Sequence, residues 1–383
     1  METTPITGLD ELDKHLDDLL QDASLALNPK LFDDVELQLT ETNIPPLIPR
    51  FLPRLTALLK QYPQDPAVIV SLTVMLLGPL PFDDVFSIAE SDDLVEALDS
   101  PAPSANLLVL SILHKATLPR HISFFCMDTN LVFAFIRRWL ASPQVEVGQK
   151  AGKVLGDLLD IDCPLPPPPP PTRPVDASHA DLTLRKAPGH GTLWNLVFND
   201  RRMYTLLLDL IAGRHPDTAG DPHQLSLAQG RVLRILPRLA AINFRAVSHS
   251  HMTAPTPVHF TNGNEQCTDG EEQPPPSNPN PPRPGEGLLQ YAALRMVQKS
   301  DTLMHLSLVD FFETLVSLLR VTEDSTLKTE TLRAMLGEAT GGDAVLRDAL
   351  LSLPERTVEV EAEDLRRWLR EVMPGETVGL AVR

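Results

Sequence analysis

Apolar residues recur along the chain at i, i+3, i+4 and i+7. Leu12, Leu16, Leu19, Ala23 and Leu27 follow this spacing, as do Ile48, Phe51, Leu52, Leu55, Leu58, Leu59 and Tyr62. Val132, Phe135, Ile136 and Trp139 repeat it, then Val147, Ala151, Val154, Leu155 and Leu158. Val232, Ile235, Leu236 and Leu239 form a further set, and Leu365, Trp368, Leu369 and Val372 the last clear one. Each set lies along one stripe of a helix. No segment alternates apolar and polar residues as a half-buried strand does. Between the stripes stand helix-start signals: Asp65-Pro66, Pro81-Phe82-Asp83-Asp84, Ser100-Pro101, Ser142-Pro143 and Asp221-Pro222. Proline fits the first helical turn, and a polar side chain before it can cap free amides.

Short helices joined by short connections, paired at roughly 40 residues per unit, are the pattern of HEAT or armadillo repeats. The expected fold is therefore all-α, a HEAT/armadillo-type helical repeat solenoid curved as a right-handed superhelix; an irregular helical bundle is the alternative. Val145 to Asp160, VEVGQKAGKVLGDLLD, is the most repeat-like stretch, with Ala151 and Gly156 small enough for a neighbouring helix to approach closely. Leu332 to Gly337 echoes it.

Two segments break the pattern. Residues 163–188 contain the consecutive prolines Pro166 to Pro171, an extended and stiff spacer because proline offers no amide hydrogen. Residues 246–287 are rich in Pro, Asn, Gly, Ser and Glu with almost no large apolar side chains, so burial cannot offset ordering and disorder is expected. The organisation reads as helical repeats at 1–162, a linker at 163–188, helical repeats at 189–245, an insert at 246–287 and helical repeats at 288–374.

Composition supports helix-on-helix packing: hydrophobic residues make up 43% of the chain but aromatics only 5%, so Leu and Ala carry the core. The net charge is −18, and residues 1–100 hold 19 acidic against 5 basic side chains. Such a surface repels phosphate backbones and anionic lipid, so neither nucleic acid nor membrane is expected as a partner. A basic protein surface is the natural complement, and solubility alone is the plainer explanation. Asp17, Asp18, Asp33 and Asp34 are the candidates for steering such a partner. The cysteines Cys126, Cys163 and Cys267 are odd in number and widely spaced, which suits a reducing compartment. The start of the chain lacks the basic-then-apolar order of a signal peptide, and the apolar stretch Ala67 to Leu80 is too short to span a bilayer. The expected location is the cytosol, with the nucleus also open to the chain.

No phosphate-binding loop, nucleophile elbow or HExxH zinc motif is present. His249, His251, His259 and Cys267 match no zinc spacing, and Gly341-Gly342 reads as a turn. Adjacent acids such as Asp83-Asp84 and Asp92-Asp93 suit a solvated helix start better than acid–base chemistry. Pro168 to Pro171 satisfies PxxP with Arg173 nearby, a possible SH3 or WW ligand, although a plain spacer fits as well. The chain is expected not to be an enzyme and to need no cofactor or metal.

Two segments are more distinctive: VGQKAGKVLGDLLDID, Val147 to Asp162, and GHGTLWNLVFNDRRMYTLLLDL, Gly189 to Leu210. Together they resemble the fungal family labelled DNA mismatch repair protein N-terminal domain. That family is a HEAT/armadillo-type proteasome base assembly chaperone similar to animal 26S proteasome non-ATPase regulatory subunit 5. The resemblance is closest over residues 130–245, and the proline run and the insert depart from a compact family member. It implies a curved array whose concave face grips the C-terminal domain of one ATPase subunit of the proteasome regulatory-particle base. Such a protein escorts partial ATPase assemblies and blocks their premature docking on the proteolytic core. In the second segment Trp194, Val197, Phe198, Leu206, Leu207 and Leu210 form the expected core stripe. His190, Asn195, Arg201, Arg202 and Tyr204 remain as candidate partner contacts, and Asp200 is the expected helix cap. A monomer is expected. The alternatives are a non-catalytic DNA mismatch repair accessory protein, which the family label suggests, and a general scaffold or transport adaptor.

Overall fold

A computed structural model describes residues 6–22, 24–62, 64–167, 186–251, 283 and 285–375. The protein is all-α: the described residues hold α-helices, short 3-10 turns and one isolated antiparallel bridge, His249 to Glu286, and no strand. The chain divides into two compact units, Met1–Arg138 and Trp139–Arg383.

The first unit carries α1 (Leu9–Gln21), α2 (Pro29–Glu36), α3 (Ile48–Gln61), α4 (Ala67–Leu77), α5 (Phe82–Ile88), α6 (Ser91–Asp99), α7 (Pro103–Leu113) and α8 (Pro119–Phe125). The next helix, α9 (Thr129–Ala141), runs across the boundary. Within this unit α3 packs on α1 and α4, α4 on α2 and α7, and α7 on α5 and α6. The predicted stripes are what these contacts bury: Leu12, Leu16 and Leu19 of α1 meet Phe51, Leu55 and Leu58 of α3 in one cluster. Each fully buried Leu contributes about 1.5–3 kcal/mol by leaving water.

The second unit continues with α10 (Val145–Ile161), α11 (Thr192–Asn199), α12 (Arg201–Ile211), α13 (Pro222–Ile242), α14 (Phe244–Ser248), α15 (Leu288–Leu294), α16 (Thr302–Arg320), α17 (Thr326–Thr340), α18 (Ala344–Ser352) and α19 (Glu359–Val372). Its axis is α13, which packs against α10, α12, α14, α15 and α16. Local sequence explains its length. Asp221 accepts from the Gln224 amide at 3.0 Å, Pro222 occupies the first turn, and Asn243 ends the helix and caps α14 through the Ala246 amide at 3.2 Å. The same device starts α12 at Asp200, α16 at Asp301, α17 at Ser325 and α18 at Asp343.

Both sequence interruptions have ordered ends. Cys163 is fully buried and its carbonyl accepts from the Gly189 amide at 2.6 Å, so the chain around residues 168–185 leaves and returns at one place. Residues 246–248, assigned by sequence to the insert, belong to α14, where Val247 is fully buried. At the other end Gly287 donates to the Ser248 carbonyl at 3.3 Å. The expected disorder itself, His259 and Cys267 fall on 252–282, outside the described residues, as do Arg173 and most of the proline run. One apolar helix escaped the sequence reading. α16 is 19 residues long and apolar enough to cross a membrane by length and composition, with 44% of that window buried; Asp310 and Glu313 interrupt its run.

Polar cross-links tie helices together at a recurring sequence separation. In the first unit Arg54 reaches Asp17 across 37 residues, Lys115 the Gly78 carbonyl across 37, Arg120 Asp83 across 37, Arg137 Asp99 across 38 and Ser104 Asp65 across 39. In the second, His305 reaches Asp343 across 38, Arg333 the Glu371 carbonyl across 38 and Arg320 Glu361 across 41.

Candidate protein-binding site

The two distinctive segments meet at the end of α10. Asp162 follows that helix and is fully buried. Its Oδ2 accepts from the Leu193 amide at 2.7 Å, so a carboxylate from one helix end caps the start of α11. Burial pushes the Asp162 carboxyl up, opposed by the amides of Leu193, Trp194 and Thr192 and by the charge of His190. The Gly191 amide donates to the Asp162 carbonyl at 2.8 Å. The glycines around His190 are required by this junction. A Cβ on Gly189 would stand 2.5 Å from Asp162 Cα, and Gly191 has a φ of +72°. The Trp194 indole then donates to the Leu159 carbonyl at 2.7 Å, and Phe198 stacks on Trp194 with centroids 5.3 Å apart. Asp200 caps α12 at the Met203 amide, 3.0 Å away, as the sequence indicates.

Most of what makes GHGTLWNLVFNDRRMY distinctive is therefore spent on joining α10, α11 and α12. Of the residues left over, His190, Asn195, Arg201 and Arg202 are exposed. Asn195 accepts from the Asn199 side chain at 3.0 Å. Tyr204 does not belong with them: it is buried at 3% exposure, and burial pushes its hydroxyl up to about 12, against a lowering contribution from Ser250. The reason is that α12 buries both of its flanks, with Met203, Leu208 and Ile211 inside as well as the expected Leu206, Leu207 and Leu210. Tyr204 is thus withdrawn as a surface contact.

Beneath this surface lies a set of buried cations. Gly148, Gly152 and Gly156 form one line on α10, and each leaves room for a side chain rather than for a close backbone. Gly148 faces the Arg231 guanidinium, Gly152 the Trp139 indole at 3.1 Å and Gly156 the Arg238 guanidinium at 2.8 Å from a would-be Cβ. Arg231 donates to the carbonyls of Trp139 at 3.1 Å, Leu140 at 2.9 Å and Gln144 at 3.2 Å, where the preceding helix ends. Burial pulls its guanidinium down to about 10, so it stays charged at neutral pH and answers the negative end of the helix dipole. Arg238 pairs with Asp157 at 2.8 Å and approaches Asp160 at 3.8 Å. Gln229 repeats the logic between two helix ends, donating to Ile211 at 3.0 Å and Met296 at 2.9 Å. Lys328, 2% exposed, does so at the end of α16, donating to the Leu319 and Thr322 carbonyls at 3.1 Å each, with its ammonium 5.1 Å from the Trp368 ring centroid.

In the first unit the four candidate acids are all exposed, but they are not equivalent. Asp17 pairs with Arg54 at 3.1 Å. Arg50 and Arg54 also clasp Asp13, whose carboxyl they hold low against the opposing effect of burial, and Arg50 reaches Asp10 at 3.0 Å. The face of α1 is thereby partly neutralised by α3. Asp18, Asp33 and Asp34 keep carboxylates without an ion-pair partner among the described residues. No three His, Cys, Asp or Glu side chains gather into a metal-binding group among the described residues. Comparison with family models, curated proteins and solved structures returns no match.

Proposed function

We propose that this chain is a HEAT/armadillo-type repeat protein that holds a proteasomal ATPase subunit during assembly of the regulatory-particle base. The observation that carries the repeat half of the reading is the polar cross-linking at 37 to 41 residues, from Asp17–Arg54 to Arg320–Glu361. A similar offset between many bonded partners is what stacked helical repeats produce, each repeat touching its neighbour. The ATPase half rests on the resemblance of 147–162 and 189–210. These segments pack on one another through Asp162, Gly189 and Trp194, so they act as one element of the fold. His190, Asn195, Arg201 and Arg202 are the side chains of that element that face solvent. The protein acts by binding, without catalysis or cofactor, as a monomer in the cytosol with the nucleus also open to it, and Asp18, Asp33 and Asp34 steer a basic partner toward the first unit.

The test is affinity purification of the tagged full chain followed by mass spectrometry. Base ATPase subunits should be recovered and subunits of the proteolytic core should not. Recovery without any proteasomal ATPase would remove the reading. Arg201→Glu with Arg202→Glu should lower the ATPase yield while leaving the helical circular dichroism unchanged. Salt-sensitive binding of the purified chain to duplex DNA would point instead to the repair-accessory alternative.

A further inference from the structure

Exposed apolar side chains scattered singly are ordinary, but one of them in the first unit, Phe124, is the open end of a continuous aromatic stack. His121 stacks on Phe82 with centroids 4.8 Å apart, Phe82 on Phe86 at 5.0 Å, and Phe86 meets the edge of Phe124 at 5.3 Å. The stack runs from a buried end, His121 and Phe82, to an open one, where Phe124 is 52% exposed. Ile88 at 54% and Met127 at 79% lie at the ends of the same two helices, α5 and α8. A hydrogen bond from Ser91 to Asp128 holds those ends together. Phe86 and Phe124 stand on different helices, α5 and α8, so this apolar ridge crosses from one to the other. Nothing in the core requires Phe, Ile and Met to stand in water there.

The charge around the ridge identifies what can cover it. On the α5 side, from 61 to 114, the chain has eight acidic residues and no Lys or Arg, whereas the α8 side brings Lys115 and Arg120. Asp84 lies one turn before Ile88 on the same face of α5, and Glu90 follows at the bend. Asp84, Glu90, Asp92 and Glu96 form no ion pair among the described residues. The nearby cations are already engaged: Lys115 on the Gly78 carbonyl at 3.0 Å, Arg120 on Asp83 at 3.3 Å and Lys60 on Asp93 at 2.6 Å. An apolar centre with an acidic rim repels anionic lipid and nucleic acid and attracts its electrostatic opposite.

We infer that the Phe86–Ile88–Phe124–Met127 ridge is a docking site for a basic amphipathic helix of a partner protein. The partner's apolar face covers the ridge while its Lys or Arg residues meet Asp84, Glu90 and Asp92. The one Met and two Phe side chains of the ridge suit such a helix, because thioether and ring adapt to a range of apolar shapes. The inference rests on the chain being a protein that holds another, and not on which protein it holds.

The experiment uses the purified full chain and fluorescence anisotropy of a labelled helical peptide, Leu at i, i+3, i+4 and i+7 with Lys elsewhere. Two control peptides accompany it, one of the same composition in scrambled order and one with Glu in place of Lys. The Leu–Lys helix should bind saturably, and both controls should bind at least about tenfold more weakly, a loss of about 1.4 kcal/mol or more. Ile88→Ser with Met127→Ser should cost the Leu–Lys helix about tenfold or more. Asp84→Lys with Glu90→Lys, which touches no core side chain, should do the same, and Leu303→Ser on the other unit should change nothing. Equal binding of the scrambled peptide, or unchanged binding by both ridge variants, would overturn the inference. So would a self-associated wild type that Ile88→Ser/Met127→Ser turns monomeric, since the occupant would then be a second copy. Loss of this peptide binding leaves the ATPase reading standing, and failure to recover an ATPase leaves the ridge standing.

Discussion

Gly148→Ala adds one methyl group to a helix and should nevertheless destabilise the second unit. Taken alone, alanine favours α10 by about 1 kcal/mol over glycine. The new Cβ, however, would occupy the space of Arg231 Nε, Cζ and Nη2. Arg231 is 9% exposed, and making way for the new Cβ draws its guanidinium off the carbonyls of Trp139, Leu140 and Gln144. Hydrogen bonds from a charged donor contribute about 1.5–3 kcal/mol net. Stranding a buried charge without its partners costs about 3–5 kcal/mol. Subtracting the propensity gain leaves a net loss of about 2–4 kcal/mol. The assay is urea unfolding followed by tryptophan emission. All three tryptophans, Trp139, Trp194 and Trp368, lie in the second unit, so the signal reports that unit alone. The midpoint should fall with the slope unchanged. Gly148→Ala with Arg231→Met should lose less than the sum of the single losses, because both remove the same interaction. Gly230→Ala on α13, where a Cβ meets nothing within 4 Å, is the matched control and should gain up to about 1 kcal/mol. A Gly148→Ala protein as stable as wild type would refute the account of Arg231 as a wedged helix cap.

Asp343 supplies a pH-dependent test. Burial opposes its charge, but hydrogen bonds from Lys299, the Leu346 amide and His305 overcome that and bring its carboxyl down to about 2 from 3.8. A lowered carboxylate stabilises the fold above its unfolded pKa, and that contribution, about 2 kcal/mol, disappears as pH falls from about 4 to about 2. Asp343→Asn keeps the cap on Leu346 and should lower urea stability by about 1–2 kcal/mol at pH 7, with the difference from wild type closing near pH 2. Lys328→Met preserves side-chain length beside Trp368 but leaves the Leu319 and Thr322 carbonyls without their buried donor. A loss of about 2–3 kcal/mol is expected, with a shift in Trp368 emission.

The helices were legible because burial follows the 3.6-residue period: Leu12–Leu19, Phe51–Leu58 and Leu365–Val372 are inside, whereas α1 ends at Gln21 and leaves Leu27, read on the same stripe, half-buried beyond it. Caps were less legible. Asp221 and Asp200 act as their positions suggest, whereas Asp65, which looks like a cap before Pro66, bonds Ser104 instead. A local signal cannot show a partner 39 residues away. Tyr204 looked spare because a single stripe on α12 was assumed, and a helix enclosed on two sides buries what the first stripe leaves out. Asp17 looked free for a partner until Arg54 was seen opposite it. Gly156 of α10, with Ala151, read as a place for a neighbouring helix to approach, and Gly148 and Gly152 went unread. All three glycines are notches for Trp139, Arg231 and Arg238, and for the two arginines the signal lies in α13, more than 80 residues downstream.

That distance has a consequence for how the chain is made. In the first unit the described side-chain bonds between helices span at most 41 residues, so each partner can engage soon after the ribosome releases it. α10 must wait for α13: Arg238 emerges 81 residues after Asp157, and Arg231 follows Leu140 by 91. At ordinary elongation rates of 5–20 residues per second, that gap lasts on the order of 4 to 18 seconds. Throughout it α10 lacks its permanent neighbour α13, and Asp157 and Asp160 lack their arginine. Nascent chains halted between α12 and α13 should therefore be the ones that holding chaperones retain most avidly.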